Sequence, residues 1–369
     1  MINTHAILAC THCGQAQLQV TETAARCAAC AASFPITRGA IDFRQAEKDL
    51  SAGYDIAEDN LIAAKLNTVF DETSTVQELV SVLEGIQRRK ANGIALAEID
   101  PRAILCEDGI VPKPSKHSDP AHGIDILAKI KLHLAEVSSE ELVMGIALED
   151  GAGLGHYIAG FSQNFAQLFV LDLSMAYMML ARKIIDQHGL QNVTLVCASA
   201  ERLPFKRDTF DFVHSNNVIE HVTHQDKLFA EARRVLGIGK ILFMMSPNRF
   251  SLYIEPHFRL ACFGFIPTPL RRMIIRRKQN RDISDISLRS LGELRSLARN
   301  AFGRHVTASF IPRRLQQTAT GGMMRGLITS ILKTPVLGGA FHLLINRMAL
   351  GVMPYHVLIC EKRQSAPSA

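Results

Sequence analysis

Residues 144–155, MGIALEDGAGLG, are the stretch that most constrains the fold. A short apolar run leads into three alternating glycines, and an apolar-periodic segment follows toward Phe161. This pattern predicts a strand, a glycine-rich loop and a helix. Glycines at the carboxyl end of a strand let the backbone turn sharply and let a ligand approach main-chain N–H groups without a Cβ in the way. Glycine clusters also form ordinary turns, so the loop alone identifies no ligand.

The next two apolar runs extend the pattern toward a nucleoside site. Residues 168–171 (LFVL) end at Asp172, about twenty residues beyond the glycines, where a carboxylate can accept hydrogen bonds from both ribose hydroxyls. Residues 193–196 (VTLV) predict a further strand. At this point both NAD and other nucleoside cofactors fit the sequence.

Further strings separate these cofactors. AERLPF at residues 200–205 is followed by FDFV at residues 210–213, and together they resemble class I S-adenosylmethionine-dependent methyltransferases of the broad small-molecule type. NVIEHV at residues 217–222 and EARRVLGIGK at residues 231–240 continue the resemblance, the latter as the family's helix and glycine turn before a fifth strand. In all, it covers about residues 143–248.

The resemblance implies an α/β fold with a Rossmann-like, seven-stranded sheet, and S-adenosylmethionine as the cofactor. Glu149 and the glycines would surround its methionine portion, Asp172 its ribose, and residues 199–201 its adenine. The implied cofactor-binding residues are Glu149, Gly151, Gly153, Gly155, Asp172, Leu173, Ser199, Ala200, Glu201 and Asn216. Two residues depart from the family: Ser199 stands where an aspartate is usual, and Asp150 where a small or apolar residue is usual.

Methyl transfer from a sulfonium is an in-line displacement, so the protein mainly positions the nucleophile and excludes water. A dedicated base is not required, and the catalytic residues stay unassigned. If the acceptor is a hydroxyl, His221 is the nearest candidate for a base. In the alternative, Glu220 and His221 fix the loop and the start of the next helix. This alternative is favoured, because a histidine that relatives with chemically diverse acceptors share does not suit the role of a common base.

The N-terminal cysteines form two close pairs, Cys10/Cys13 and Cys27/Cys30, with an alternating run between them. Two Cys-x-x-Cys knuckles at this spacing predict a zinc ribbon with four thiolate ligands. A metal is needed because so few residues cannot bury much apolar area. Unrelated buried thiols and a redox role are poorer accounts, and His12 is interpreted as a bystander.

These patterns divide the chain into segments. We expect a zinc ribbon at 1–44, a helical linker at 45–132 that is either a lid or a structural spacer, and a methyltransferase domain at 133–363. Acceptor-side insertions are expected at 250–287 and 313–351, and a disordered tail at 364–369. The first ten residues lack the pattern of a signal peptide and residues 327–354 are interrupted by charges, so a cytoplasmic protein without a spanning helix is expected.

The acceptor side is less well constrained. SPNR at residues 246–249 and EPH at residues 255–257 resemble strings of bacterial methyltransferases with glycan or lipid-linked products. A basic run at residues 271–281 is either a solvated helix face or a phosphate-binding surface. The apolar insertion is a packed helical pair, a dimer face, a wall for an apolar acceptor or a peripheral membrane contact.

Three functions are consistent with the sequence. The first is methylation of a small or lipid-linked glycan-type acceptor, with oxygen as one expected acceptor atom. The second is an RNA methyltransferase, suggested by the zinc ribbon and the basic run, against which stand a net charge of only +6 and the lack of an aromatic-rich RNA platform. The third is a noncatalytic cofactor-binding scaffold. Oligomeric state is not predicted.

Overall fold

A computed structural model describes residues 4–44, 54–106, 119–137, 142–255, 257–279, 286–303, 306–309 and 355–364. The strands are β1 (Leu18–Val20), β2 (Ala24–Cys27), β3 (Ser33–Thr37), β4 (Ala40–Asp42), β5 (Ile146–Asp150), β6 (Gln167–Asp172), β7 (Val193–Cys197), β8 (Phe210–Asn216), β9 (Leu236–Pro247), β10 (Ile254–Glu255), β11 (Leu260–Ala261), β12 (Val306–Ser309) and β13 (Tyr355–Glu361). The helices are α1 (Ile56–Val69), α2 (Val76–Ala91), α3 (Pro101–Leu105), α4 (Pro120–Val137), α5 (Ile158–Ser162), α6 (Met175–His188), α7 (Gln225–Val235), α8 (Thr268–Gln279) and α9 (Leu291–Phe302).

One large mixed sheet organises the chain, in the order β1-β2-β3-β4-β7-β6-β5-β8-β9-β13-β12. Strands β4 to β9 pair in parallel along its centre, and β13 lies antiparallel between β9 and β12. The described sheet thus has eleven strands where seven were predicted. Seven of them come from residues 146–361, and four N-terminal strands join because β4 pairs with β7.

The chain reverses its direction of winding between β5 and β8. From β5 it passes to β6 and β7 on one side, and then returns to β8 on the other side. In open α/β sheets, ligands bind outside the carboxyl ends of the strands at such a switch point. The fold therefore places the glycine loop after β5 at the position where a cofactor is expected.

Apolar side chains cover both faces of the sheet. On one face α1, α2, α5 and α6 bury Leu66, Leu79, Phe161 and Ile184 against it. On the other, α7 and α9 pack in a cluster that also holds Phe34 of the N-terminal strands. Because the N-terminal strands share this cluster, their apolar side chains belong to the same core as the central strands.

The predicted helical linker contains α1 to α4. Local sequence explains their starts, since Asp55 caps α1 and Thr75 forms a capping box with Glu78 at α2. Helix α4 begins at Pro120 and continues past position 132, where the domain boundary was predicted. In the described residues, no helix is long and apolar enough to cross a membrane.

The glycines before the fifth predicted strand lie in a different element from the one expected. The glycines at 237 and 239 were expected in a turn before the fifth strand, but they lie within β9, which begins directly after α7. The left-handed φ of +72° at Gly239 accommodates the irregular pairing there.

The insertion at 313–351, Arg281 and all of the tail at 364–369 except Gln364 lie outside the described residues.

Candidate functional site

A cavity of about 540 Å³ opens at the carboxyl ends of β5, β6 and β8. Its volume lies in the range typical of small-molecule sites. Seven of the ten residues predicted to bind the cofactor line it: Gly151, Gly153, Asp172, Leu173, Ser199, Ala200 and Asn216. Tyr54, Tyr157, Tyr177 and Val222 also line it, and the sequence interpretation had not assigned any of these four to the site.

The glycine loop after β5 has positive backbone φ angles, which residues with a Cβ disfavour. Gly151 has a φ of +83°, and a Cβ there would lie 2.2 Å from Cγ2 of Val218. Gly153 has a φ of +49°, and no other atom lies within 4 Å of the position that a Cβ would take there. These glycines therefore leave the backbone accessible from the cavity, as a closely approaching ligand requires.

Asp172 organises the loop from the end of β6. One carboxylate oxygen accepts a hydrogen bond from Gly153 N at 2.8 Å, and the other accepts one from Ser174 N at 2.9 Å. Burial raises the pKa of Asp172 to about 6. Each oxygen keeps a second lone pair, so the carboxylate can still accept hydrogen bonds from a ligand in the cavity.

Three residues that line the cavity each have a buried side-chain oxygen without a hydrogen-bond partner within the described part of the chain. These oxygens are Oδ1 of Asp150, Oδ1 of Asn216 and Oδ1 of Asn217. Burial raises the pKa of Asp150 to about 7, and its other oxygen accepts a hydrogen bond from Ser215 at 3.2 Å. Unsatisfied buried acceptors are costly, so this group indicates a ligand that donates hydrogen bonds.

Three of the ten predicted cofactor residues do not line the cavity. Glu149 does not line the cavity, and its Oε2 lies 2.7 Å from Nδ1 of His214, with both side chains buried. Gly155 packs against α6, since a Cβ there would lie 2.3 Å from Cδ1 of Ile184. Glu201 accepts hydrogen bonds from the backbone N–H groups of residues 223 and 224 and so fixes that loop. Side chains alternate along a strand, so Asp150 takes the cavity position expected for Glu149.

The start of the helical linker contacts the loop after Asp172. Tyr54 lines the cavity, and its hydroxyl donates to the Leu173 carbonyl oxygen at 3.1 Å. Asp59 of α1 accepts hydrogen bonds from Ser174 Oγ at 2.6 Å and from Met175 N at 2.7 Å, and it pairs with the buried guanidinium of Arg44 at 2.8 Å. The linker therefore contributes one wall of the cavity and caps the first turn of α6.

Comparison with known proteins identifies the segment that builds this cavity. Residues 148–244 match the sequence profile of a family described as "Methyltransferase domain". This segment is a methyltransferase domain. The match confirms the resemblance to methyltransferases that the strings between residues 143 and 248 predicted for this segment.

Parts of the methyltransferase domain are also similar to curated proteins. Ubiquinone/menaquinone biosynthesis C-methyltransferase UbiE of Bordetella parapertussis is 28% identical over 123 residues, 32% of this chain and 47% of that protein. Malonyl-[acyl-carrier protein] O-methyltransferase of Methylovorus sp. is 36% identical over 95 residues, 24% of this chain and 32% of that protein. The chain thus spans less than half the length of these relatives.

A solved structure shows a similar arrangement at low identity. Phosphoethanolamine N-methyltransferase 2 of Haemonchus contortus is 17% identical, with a TM-score of 0.43 over 64% of this chain and 52% of that chain.

A second group of polar side chains lies at the mouth of the methyltransferase cavity. His221 lines the cavity, and its ring centroid lies 5.2 Å from that of His257. Nδ1 of His257 lies 2.5 Å from Oε1 of Glu255, whose other oxygen accepts a hydrogen bond from Phe258 N at 2.7 Å. Glu220 is buried beside them, and possible ligand atoms of Glu220, His221 and His257 lie within 4.8 Å of one another. The EPH string is visible in the sequence, but its proximity to His221 is not.

The four N-terminal cysteines converge on one point, outside the methyltransferase domain. Sγ of Cys10 lies 3.7 Å from Sγ of Cys30, and Sγ of Cys13 lies 3.6 Å from Sγ of Cys27. All four sulfurs lie within 4.8 Å of one another. A tetrahedral zinc site with Zn–S bonds of about 2.3 Å has sulfurs about 3.8 Å apart, so these distances fit a four-thiolate site.

Proposed function

We propose that this chain is an S-adenosylmethionine-dependent methyltransferase whose acceptor is a small or lipid-linked molecule, methylated at oxygen. The proposal rests on the side-chain oxygens of Asp150, Asn216 and Asn217, three residues that line the cavity beside the glycine loop. Within the described residues, these oxygens have no hydrogen-bond partner. These oxygens suit a ligand that carries a positively charged, hydrogen-bond-donating group, which the methionine ammonium of the cofactor provides. NAD would instead place its negatively charged pyrophosphate beside the glycine loop.

The remaining cavity residues are assigned by the same chemistry. Asp172 would accept hydrogen bonds from the ribose hydroxyls, and residues 198–200 would lie against the adenine. Ser199 already accepts a hydrogen bond from Glu201 N at 3.2 Å, so its oxygen is a weaker acceptor for adenine than an aspartate would be. When bound, the cofactor supplies a methyl group activated by a positive sulfur.

Two observations support the acceptor that we propose. One relative is named an O-methyltransferase, and the other a C-methyltransferase of quinone biosynthesis. The segment after β9 exposes apolar side chains beside the cations of α8, a combination that suits a lipid chain with a phosphate. The exposed apolar residues there are Leu252, Ile254, Phe265, Leu270 and Met273. Neither of these relatives is named for a glycan acceptor, so this proposal uses only the lipid-linked part of the predicted acceptor.

An RNA acceptor is the alternative that the basic face of α8 favours. Four of its cationic side chains are exposed, namely Arg272, Arg276, Arg277 and Lys278. RNA binding through such a face would weaken steeply between 50 and 200 mM salt, whereas a lipid-linked acceptor held by apolar contacts would not.

We also propose that the four cysteines bind one structural zinc ion. Gly14 and Ala31, which follow the second cysteine of each pair, have left-handed φ values of +75° and +60°. These turns direct both sulfurs of each pair to one side, and His12 N donates to Sγ of Cys10 at 3.4 Å. Four thiolates complete the coordination of zinc, which fits a structural role.

Calorimetric titration with S-adenosylmethionine, and separately with NAD, tests the proposed function. We expect micromolar binding of the first alone, and at least tenfold weaker binding in Asp172→Ala because a charged hydrogen-bond acceptor for ribose is lost. Asp186→Ala is the matched control, since this aspartate lies on the outer part of α6 in an exposed pair with Arg182. Binding of NAD alone, or unchanged affinity in Asp172→Ala, would refute the assignment.

A further inference from the structure

We propose that Glu220, His221 and His257 form a binding site for a divalent transition-metal ion at the mouth of the cavity. Two imidazoles and one carboxylate are a ligand set that transition metals favour, and three protein ligands leave coordination positions open. The possible ligand atoms lie within 4.8 Å of one another, so small side-chain rotations bring them to one ion.

The burial of Glu220 is the second observation that indicates a cation. Its side chain is 1% exposed, and neither carboxylate oxygen has a hydrogen-bond partner in another residue of the described chain. A buried carboxylate without donors is costly unless a cation compensates it. The carboxylate lies beside the two histidines, so the geometry directs it to the same point as their rings.

Glu255 is the positioning residue of this site. Its Oε1 accepts a hydrogen bond from Nδ1 of His257 at 2.5 Å, and its Oε2 accepts one from Phe258 N, so the carboxylate itself is fixed. A histidine that donates through Nδ1 presents the lone pair of Nε2 to a metal. Carboxylate–histidine–metal arrangements of this kind orient the ring and increase its basicity.

The use of this ion in catalysis rests on the proposed function. His221 lines the cofactor cavity and is exposed to solvent, so an ion held by it would lie at the edge of that cavity. Coordination of an acceptor hydroxyl would lower its pKa, and its proton would leave to water at the exposed side of His221. The oxygen then forms a C–O bond to the methyl carbon while the C–S bond breaks, and the sulfur keeps the electron pair.

Manganese binding to the full chain loaded with a single equivalent of zinc, followed by electron paramagnetic resonance, tests the site directly. Mn²⁺ prefers oxygen and nitrogen ligands, so it does not compete for the four thiolates. We expect one bound Mn²⁺ per chain, and at least 100-fold weaker binding in Glu220→Gln and in His257→Ala because each removes a ligand. His224→Ala is the matched control, since this exposed histidine lies outside the cluster and should leave Mn²⁺ binding unchanged.

Calorimetry with S-adenosylmethionine on the same preparations separates the two proposals. Retained cofactor binding in Glu220→Gln, together with lost Mn²⁺ binding, would support the metal site and show that the variant is folded. The metal site is refuted if the wild-type chain binds no Mn²⁺ at millimolar concentration, or if Glu220→Gln binds it as the wild type does. A wild-type chain that binds Mn²⁺ but no S-adenosylmethionine would refute the proposed function alone.

Discussion

The chain contains two convergent groups of metal-ligating side chains, and they differ in how they are built. The four cysteines come from two short turns of the N-terminal strands, and they supply four identical ligands that leave no open position. Glu220, His221 and His257 come from two loops of the methyltransferase region, and they supply three ligands next to a cavity. The first arrangement suits a stabilising ion, and the second suits an ion that also binds a ligand.

The largest effect should follow from removal of one thiolate. Cys27→Ser is expected to abolish stoichiometric zinc binding. It should also lower the free energy of unfolding of the N-terminal strands by more than about 5 kcal/mol, because zinc binding contributes most of the folding free energy of small zinc modules. Zinc content and amide hydrogen exchange of residues 4–44 measure it. Cys106→Ser, which changes an exposed cysteine, is the control. Full zinc content with protected amides in Cys27→Ser would show that this group does not hold a structural ion.

Acid pH should affect the two regions in opposite directions. Protons compete with zinc for the thiolates, so the N-terminal strands lose stability as the pH falls. In the cavity, burial raises the pKa of Asp150 from 3.8 to about 7, so between these values the folded state binds more protons than the unfolded state. The cavity region therefore gains stability as the pH falls from 7 toward 4, on the order of 4 kcal/mol.

Asp150→Asn distinguishes the two pH effects. The variant should reduce the pH dependence of urea unfolding, because the Asp150 carboxyl no longer titrates. The pH at which zinc is released should stay unchanged, because zinc binding does not involve this side chain. Circular dichroism and a zinc indicator measure the two transitions. An unchanged unfolding profile in Asp150→Asn would contradict the raised pKa of this side chain.

A smaller effect is expected from Glu255→Gln, which removes the negative charge of the side chain that contacts Nδ1 of His257. Mn²⁺ affinity should fall about 10- to 100-fold, the usual range for a residue that orients a metal ligand, while zinc content stays at one ion per chain. Titration of Mn²⁺ beside zinc analysis measures both. Equal loss of both metals would mean that the two groups are not independent.

His12→Ala should have the smallest effect. His12 lies within the first cysteine pair, but four thiolates already complete a tetrahedral site. We expect an unchanged zinc content and a change in unfolding free energy within about 0.5 kcal/mol. Loss of zinc in this variant would show that the imidazole replaces one of the sulfurs.

The predicted site residues that the structure brings together are those encoded by local spacing. Cysteine pairs, the glycine loop and Asp172 lie at fixed short separations, so the sequence predicts them before the fold is known. Which of Glu149 and Asp150 faces the cavity depends on the register of β5, and two adjacent acidic residues carry no signal of it. His221 and His257 are far apart in sequence, and only the tertiary fold brings them together.

The sequence also does not predict the pairing of β4 with β7. β4 has three residues and an unremarkable composition, so nothing local predicts that it extends a parallel sheet. Arg44 forms a local ion pair with Asp42 of β4, and its second pair, with Asp59, fixes the end of β4 against α1 and joins residues from separate segments. Such long-range contacts are set by packing, which periodicity does not report.

The same pairing determines what loss of the zinc would expose. A central strand such as β7 carries unpaired N–H and C=O groups along one side once its neighbour is gone, and these groups form a template for strands of other molecules. β7 is mostly apolar and its last three residues are buried, a composition typical of aggregation-prone segments. The N-terminal strands therefore act as a protective cover, and chelation of the metal would be expected to cause self-association rather than simple local unfolding.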